Sequence, residues 1–389
     1  MIVYPMPFSR HISIFLIIIL VGHISLVFFG RNISALLDFY LLTFFVTNFK
    51  LDKSDFKLYF VTIIIIVLIL FRYLIFLPSW DSTYFFISLK LLVFFLMFIS
   101  IKPGIVLDKL KLMDKLKLFY LVSCILVISD KFHAFFTGGL VYGLLHRPRL
   151  IGEINFDIVL ILEVWLLLKL YHPGYKKIYG YLLFFVIVIS LSRSGILGYA
   201  FTYFFYIQIR TKSFNFLYFF KNILLVVGGL ALILLIYYIR DPELNFKNID
   251  RVQLLTALAE SYTDSSWLTL LFGHGLLVPL PDSICIPFSF YALATTGDEG
   301  NCNPVILFSY FLRCTFEYGL LITILIPFYY FKLLSKNVNN VTALALVMPA
   351  IAVSLAVGGF YNSLAIIALV MAKYIAAAFA TQEKAVAII

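Results

Sequence analysis

Charged residues are scarce in this chain. Only 13% of its 389 residues are Asp, Glu, Lys or Arg, whereas 63% are hydrophobic and the mean hydropathy is +1.03. This composition lies far from that of soluble globular proteins. The apolar residues form long continuous runs rather than alternating with polar ones, which is typical of helices that span a membrane. The sequence therefore predicts an all-α polytopic membrane protein.

Motifs that bind nucleotides or zinc are also missing. The chain has no glycine-rich phosphate loop ending in Lys-Ser/Thr and no His-Glu-x-x-His sequence. These absences count against nucleotide-driven transport and zinc-dependent hydrolysis. The net charge of +10 does not favour a nucleic-acid partner, because basic loops orient the spans of membrane proteins. We expect no nucleic acid, no cofactor and no metal.

The apolar runs predict about twelve spans, interrupted by one long polar segment. Nine predicted spans lie in residues 1–239 and three in residues 305–389. Residues 240–304 are too long for a simple connector, and their apolar stretches 267–272 and 284–291 indicate a folded outer cap. The predicted spans are residues 12–29, 33–49, 58–77, 84–101, 118–136, 150–170, 178–191, 195–208, 217–239, 305–331, 341–359 and 364–380.

Basic residues between the runs predict the orientation, because cytoplasmic loops carry an excess of Lys and Arg. On this basis both termini are cytoplasmic and the long polar segment lies outside. The basic stretches are residues 50–57, 102–117, 169–177, 210–221 and 332–336.

Lysines at two places in the chain are expected to have structural rather than catalytic roles. Lysines interleave with apolar residues at helical spacing along residues 105–118, which predicts a basic amphipathic helix on the inner leaflet. Lys90 lies near the outer interface, where Asp38 or Asp81 is its expected partner.

Arg193 is a single charge between two apolar runs, residues 178–191 and 196–207, with basic residues beyond both. The chain is therefore expected to enter the membrane and return, as a short re-entering helix pair over residues 178–209. Each limb of about 14 residues gives about 21 Å of helix, against a hydrocarbon core of about 30 Å. This length predicts a turn below the outer surface, facing a polar cavity. The alternative is a short outer loop whose arginine reaches the headgroups.

Four more arginines border the same outer level. A charge at bilayer depth is costly and indicates a functional site by default. Arginine suits a diphosphate, because its planar fork binds phosphate oxygens bidentately and stays charged. We expect at least two of the five arginines, Arg193 included, to meet at one anionic site. The other four are Arg147, Arg149, Arg251 and Arg313.

Four short motifs resemble those of the Wzy-type O-antigen polymerases and of the related O-antigen ligases. Their order, spacing and topology carry the resemblance, which covers residues 147–331. The family has ten to fourteen spans, a GT-C-like arrangement and a large periplasmic loop. The motifs are Arg149-Leu-Ile-Gly152 followed by Asn155, Leu-Ser192-Arg193-Ser194-Gly195, Gly273-His274-Gly275 and Glu317-Tyr-Gly319.

The resemblance implies an inverting, metal-independent glycosyltransferase of the bacterial inner membrane with its active site on the periplasmic side. It would transfer a glycan from undecaprenyl diphosphate to the non-reducing-end sugar hydroxyl of another lipid-linked repeat unit, through an oxocarbenium-like transition state. Its partners would be that lipid-linked oligosaccharide, the lipid bilayer, and a chain-length regulator and a flippase of the same pathway.

The resemblance also implies roles for individual residues. Arg149 and Arg193 would hold the diphosphate, with Arg147 or Arg251 as a third contact. The residues expected to support this site are Gly152, Asn155, Ser192, Ser194 and Glu317.

One departure from the ligases bears on the choice of reaction. Ligases usually carry a histidine just before the span that follows the large loop, whereas residues 301–304 here are Asn-Cys-Asn-Pro. This favours a polymerase and leaves the general base open among Asp298, Glu299 and His274. A lipid-linked oligosaccharide flippase is the alternative class, but it would need cations through the full depth of the membrane.

Four residues of the outer segment are not expected to take part in catalysis. Asp241 and Glu243 resemble a metal-binding carboxylate pair of some membrane glycosyltransferases, but an oxygen-only metal site needs more ligands. A disulfide between Cys285 and Cys302 is compatible with an oxidising compartment such as the periplasm. Such a bond would close the loop.

Overall fold

The computed structural model is almost entirely helical, and the residues it describes contain no β-strand. The prediction of an all-α protein is therefore confirmed. One isolated antiparallel bridge joins Phe49 and Ile101. The structure describes residues 7–30, 35–50, 53, 55–76, 82–103, 108–151, 154–190, 192–211, 220, 224, 227, 228, 231, 250–263, 265–275, 278, 280, 307, 309–355 and 359–386.

Most helices follow the apolar runs, but α5 extends nine residues beyond each end of the predicted span 118–136, and most of the predicted span 217–239 lies outside the described residues. A 3₁₀ turn at Gly359–Tyr361 separates the last two. The helices are α1 Phe8–Phe29, α2 Ala35–Asn48, α3 Phe56–Phe76, α4 Ser82–Ser100, α5 Lys109–Leu145, α6 Ile154–Tyr171, α7 Ile178–Ser190, α8 Arg193–Thr211, α9 Asp250–Ser261, α10 Trp267–Phe272, α11 Tyr310–Ser335, α12 Asn340–Ser354 and α13 Ser363–Val386.

Three helices in the described part of the chain are long and apolar enough to cross a membrane, namely Phe8–Phe29, Tyr310–Ser335 and Ser363–Ala380. Five shorter apolar helices accompany them. Large apolar side chains such as Phe39 and Phe71 point outward, as expected of a surface that faces lipid. The total of twelve spans and the GT-C-like arrangement stay predictions.

Helices α6 and α13 form the centre of the assembly. Residues 158–168 of α6 are all buried, including the indole of Trp165, and residues 364–376 of α13 are buried as well. A helix that is buried on all sides is stable only when neighbouring helices surround it. Helix α6 packs against α5, α7, α8, α12 and α13, and α13 also contacts α2, α4 and α11.

Most of the lysine-bearing helix ends lie together, at what we call the lysine end. The starts of α1, α3 and α5 meet the ends of α6, α11 and α13 there. Their location on the cytoplasmic side stays a prediction. The contacts are Lys336 Nζ to Asp55 Oδ1 (2.5 Å), Lys115 Nζ to Ser9 O (3.1 Å), His172 Nε2 to Asp114 Oδ1 (3.5 Å) and Lys109 Nζ to the Phe379 ring centroid (5.3 Å).

The expected amphipathic surface helix at residues 105–118 is wrong. Asp108 caps the start of α5 by accepting a hydrogen bond from Lys111 N (2.8 Å), and the helix then continues without a break as far as Gly139. Leu112 and Met113 are fully buried rather than facing a membrane surface. Neither proline nor glycine occurs between residues 109 and 137, so nothing ends the helix there.

Candidate functional site

The starts of α6 and α8 lie at the opposite end of the assembly, which we call the arginine end. A Cβ atom built on Gly195 would lie 2.7 Å from Ile158 Cδ1, so the first turns of α8 and α6 are in direct contact. At the start of α11, Ser309 Oγ donates to Ser354 O at the end of α12 (3.1 Å). Since α6 finishes at the lysine end, its start marks the other end. Helix α11 instead folds back at Gly319, so that Tyr310 Oη donates to Thr323 O (3.1 Å) and the start of α11 lies beside its own middle.

The predicted turn before Arg193 is built by serines. Helix α7 ends at Ser190 and α8 begins at Arg193. Ser192 Oγ accepts from Gly195 N (3.0 Å) and so caps α8, and it lies 3.2 Å from Ser194 Oγ. Ser192 and Ser194 are buried. They therefore stabilise the start of the helix, and the side chain of Arg193 lies outside the described part.

The segment that carries Arg149 is held through its backbone by two aspartates. Asp130 Oδ2 accepts from Arg149 N (2.6 Å), and Asp157 Oδ2 accepts from Leu150 N (2.7 Å). The Arg149 side chain is exposed, and that of Arg147 is partly buried. The backbone of Arg149 is therefore fixed, and its exposed side chain extends from a defined point.

Helix α5 folds back on itself to reach this segment. In a straight helix, Asp130 and His146 would lie about 24 Å apart. Gly139 has a φ of 76°, which only glycine adopts readily, and the last turns after it reverse direction. His146 Nε2 consequently lies 3.0 Å from Asp130 Oδ2, and Lys131 Nζ donates to His146 O (2.6 Å).

A cavity of about 150 Å³ opens beside this pair. Sequence reasoning identified Arg149 but missed Asp130 and His146, because their approach depends on the reversal of α5. The cavity is lined by the end of α1, by α5 from Asp130 onward and by the segment that follows α5. The lining residues are Leu26, Val27, Asp130, His133, Ala134, Thr137, Tyr142, His146 and Arg149.

The motifs Gly273-His274-Gly275 and Glu317-Tyr318-Gly319 pack backbone to backbone. Helix α11 is broken at Gly319, where φ is 83°. The break leaves the carbonyl of Phe316 available to accept from His274 N (2.8 Å). Gly273, with a φ of 79°, lies against the same break. The loop after α10 is thereby attached to the middle of a span.

Glu317 serves a buried cluster rather than an open site. Its Oε1 accepts from Arg313 Nε (3.1 Å), and its Oε2 accepts from Tyr361 Oη (2.8 Å). The Arg313 guanidinium also lies 4.3 Å from the centre of the Tyr361 ring. The charge of Arg313 is therefore matched inside the protein, and Arg313 does not join Arg149 at an exposed site.

His274 packs as a ring between two aromatic side chains. The ring centroids of Tyr262 and Phe316 lie 4.7 Å and 4.6 Å from that of His274, and Nε2 is buried without a hydrogen-bond partner in the described residues. Burial lowers the pKa of His274 and raises the pKa of Tyr262 to about 12. The imidazole is therefore neutral near pH 7 and shielded from solvent at one nitrogen.

Several predicted residues are not placed. The backbones of Asn155 and Arg251 lie in the first turns of α6 and α9, but their side chains are outside the described part. The remaining predicted residues that lie wholly outside it are Gly152, Asp241, Glu243, Cys285, Asp298, Glu299 and Cys302.

Comparison with known proteins assigns no family. No protein-family model matches the chain, and no curated protein is similar enough to match it. A function must therefore be argued from the residues and their geometry.

Proposed function

We propose that this protein is a membrane glycosyltransferase of the O-antigen polymerase type. It transfers a glycan from undecaprenyl diphosphate to a sugar hydroxyl of a second lipid-linked repeat unit, on the periplasmic side of a bacterial inner membrane. The observation that carries the proposal is the contact between the starts of α6 and α8. Arg149 lies five residues before the first helical residue of α6, and Arg193 begins α8.

The two ends of the assembly differ in the kind of cation that predominates, although Arg10 lies at the lysine end and Lys131 lies beside His146 near Arg149. The contacts at the lysine end involve ammonium groups, which are compact, strongly hydrated point charges. The helix starts at the arginine end carry guanidinium groups, whose fork matches two phosphate oxygens at once. This division supports orientation of the chain by lysine and recognition of a diphosphate by arginine.

The chemistry needs charge stabilisation more than it needs a cofactor. The bond between the anomeric carbon and the diphosphate oxygen breaks, and the diphosphate leaves with the electron pair. Arginines fixed where that negative charge develops lower the barrier. The dipole of α8 adds partial positive charge at the start of this helix, on the same side of the site. Because diphosphate is already a good leaving group, no nucleotide is required.

Exposed aromatic side chains next to the cavity offer a surface for the isoprenoid tail. Phe28 packs near His133 with ring centroids 6.1 Å apart, and it remains 70% exposed. Phe132 and Phe136 on α5 are exposed as well. A polyprenyl donor would therefore contact apolar surface and arginine within one region.

A glycan ladder from a deletion strain tests the proposal. Wild-type protein should restore long chains, whereas Arg193→Ala should leave single repeat units on the lipid core. Arg10→Ala, an exposed arginine at the lysine end, is the matched control and should restore long chains. If the deletion strain carries no repeat units on its lipid core but keeps lipid-linked polymer, the protein is a ligase. If the repeat units stay inside the cell, it is a flippase. Either result, or long chains with Arg193→Ala, would contradict the proposal.

A further inference from the structure

We propose that His146, oriented by Asp130, is the general base that accepts the proton of the acceptor sugar hydroxyl. This inference rests on the proposed function and assigns a residue to the step that the sequence left open. Neither residue belongs to the motifs from which the family resemblance was drawn.

The pair has the geometry of a preorganised acid–base unit. Asp130 Oδ2 lies 3.0 Å from His146 Nε2, and the same oxygen accepts from Arg149 N (2.6 Å). The side chains of His146 and Asp130 are only 11% and 9% exposed. The carbonyl of His146 is fixed by Lys131 Nζ (2.6 Å). Backbone and ring are thus both restrained.

The carboxylate determines which ring nitrogen is available for chemistry. A histidine that donates Nε2–H to a carboxylate carries its lone pair on Nδ1. Within the described part of the chain, no hydrogen bond to His146 Nδ1 is formed. The carboxylate also stabilises the imidazolium that results from proton transfer, as in other carboxylate–histidine pairs that act as bases.

The cavity beside the pair fits part of a sugar. Its volume of about 150 Å³ equals that of engineered cavities that admit one six-membered ring. Thr137, Tyr142 and His133 supply hydroxyl and imidazole groups along its lining. We therefore assign the acceptor ligand to the class of oligosaccharides with a free ring hydroxyl.

The position of the cavity matches the level at which the donor is expected. The 22 residues from Lys109 to Asp130 span about 32 Å of helix, close to the thickness of the hydrocarbon core. The cavity thus lies about one membrane thickness from the lysine end. Arg149 lines the same cavity, so the proposed base and the arginine proposed to bind the diphosphate lie at one site.

The proposed step balances without another reactant. The acceptor oxygen forms a bond to the anomeric carbon of the donor as its proton passes to His146 Nδ1. The bond from that carbon to the diphosphate oxygen breaks, and the electron pair leaves with the diphosphate. The imidazolium then returns its proton to solvent or to the released diphosphate, which restores the neutral ring.

A reconstituted assay tests the assignment. Purified protein in phospholipid vesicles is given undecaprenyl-diphosphate-linked repeat units, and polymer is measured over time. His146→Gln should lower the rate about 100-fold or more, the range typical of a lost general base. His172→Gln is the matched control, because His172 faces Asp114 at 3.5 Å at the lysine end, and its rate should equal that of the wild type.

Rescue separates a base from a merely structural residue. Imidazole should restore part of the rate of His146→Ala, and it should have no effect on the wild type. If wild-type protein makes no polymer, the proposed function itself fails. If wild-type protein polymerises and His146→Gln does so equally well, the function stands and the base assignment is overturned. A slow His146→Ala variant that imidazole does not rescue also overturns it.

Discussion

Gly273 and Gly319 lie so close that neither tolerates a side chain. A Cβ atom built on Gly273 would lie 2.6 Å from Gly319 N, and one built on Gly319 would lie 2.5 Å from Gly273 N. Each residue also has a positive φ, of 79° and 83°. The outer segment and the broken helix α11 are therefore joined at a point where only glycine fits on both sides.

Gly319→Ala should destabilise the protein strongly. The substitution adds about 1–3 kcal/mol of backbone strain and a similar steric cost, because backbone atoms cannot move aside as a flexible side chain does. We expect an unfolding free energy lower by at least about 2 kcal/mol. Thermal unfolding of the purified protein in detergent measures the change.

Gly30→Ala separates the two contributions. Gly30 also has a positive φ, of 64°, but a Cβ atom there would meet nothing within 4 Å. This variant should lose only about 1–2 kcal/mol, from backbone strain alone. Equal unfolding temperatures for the two variants would mean that the contact between Gly273 and Gly319 is not tight.

Removing one partner of the Arg313–Glu317 pair should cost more than removing both. Glu317→Ala leaves the buried guanidinium of Arg313 without its ion-pair partner and should lower the unfolding free energy by about 3–5 kcal/mol. A double Arg313→Met, Glu317→Met variant should recover most of that loss. Thermal unfolding of the single and double variants forms the cycle. Asp38→Asn is the comparison, since the partly exposed Lys90–Asp38 pair should contribute about 1 kcal/mol or less.

Arg149→Lys should reduce polymer formation even though it keeps the charge. Lysine supplies a single ammonium and cannot bind two phosphate oxygens in the plane of a fork. Arg149→Ala should lose about 100-fold in rate, the scale of one missing charge-stabilising donor, with Arg149→Lys between it and the wild type. Arg10→Lys, at the lysine end, should change nothing. A fully active Arg149→Lys protein would argue against bidentate binding.

The stabilising effect of His274 should depend on pH. Burial holds its pKa below the ordinary value of 6.5, so the unfolded chain takes up a proton at higher pH than the folded protein does. The contribution of His274 to the stability of the folded protein is therefore fully present above about pH 6.5. It is lost as the pH falls through the pKa of His274 in the folded protein. The difference in unfolding temperature between wild type and His274→Gln should shrink from about pH 7.5 to about pH 5. A constant difference would contradict this.

Chelation should leave polymer formation intact. The proposed chemistry uses arginines where other enzymes use a divalent metal, so the reconstituted wild-type protein should be equally active with and without EDTA. If activity is lost and magnesium restores it, Asp241 and Glu243 become the first residues to substitute.

The sequence was most informative about the helices and about simple ion pairs. Apolar runs predicted the helical spans because a membrane leaves the backbone few alternatives. The apolar stretch 267–272 coincides with α10, and the expected Lys90–Asp38 pair forms at 2.7 Å. The i, i+4 spacing of Arg313 and Glu317 on a helix also indicates the ion pair that these residues form.

The sequence was least informative where a helix changes direction. Gly138 and Gly139 were a weak signal of a break in α5, but nothing in the pattern indicated a reversal that brings His146 onto Asp130. The same limit applies to Gly319, whose break in α11 creates an acceptor for His274 N. Contacts of this kind depend on backbone dihedral angles at single glycines, which hydrophobic periodicity does not record.

The attachment of the outer segment to α11 has a consequence for how such a protein can diversify. The attachment uses the main chain of residues 273–274 and 316–319, and the rings of Tyr262, His274 and Phe316 pack beside it. Mutations at positions of the segment that do not contact α11 therefore leave this joint intact. Under our proposal, lineages that switch to a different surface glycan can remodel the outer face while inheriting the joint unchanged.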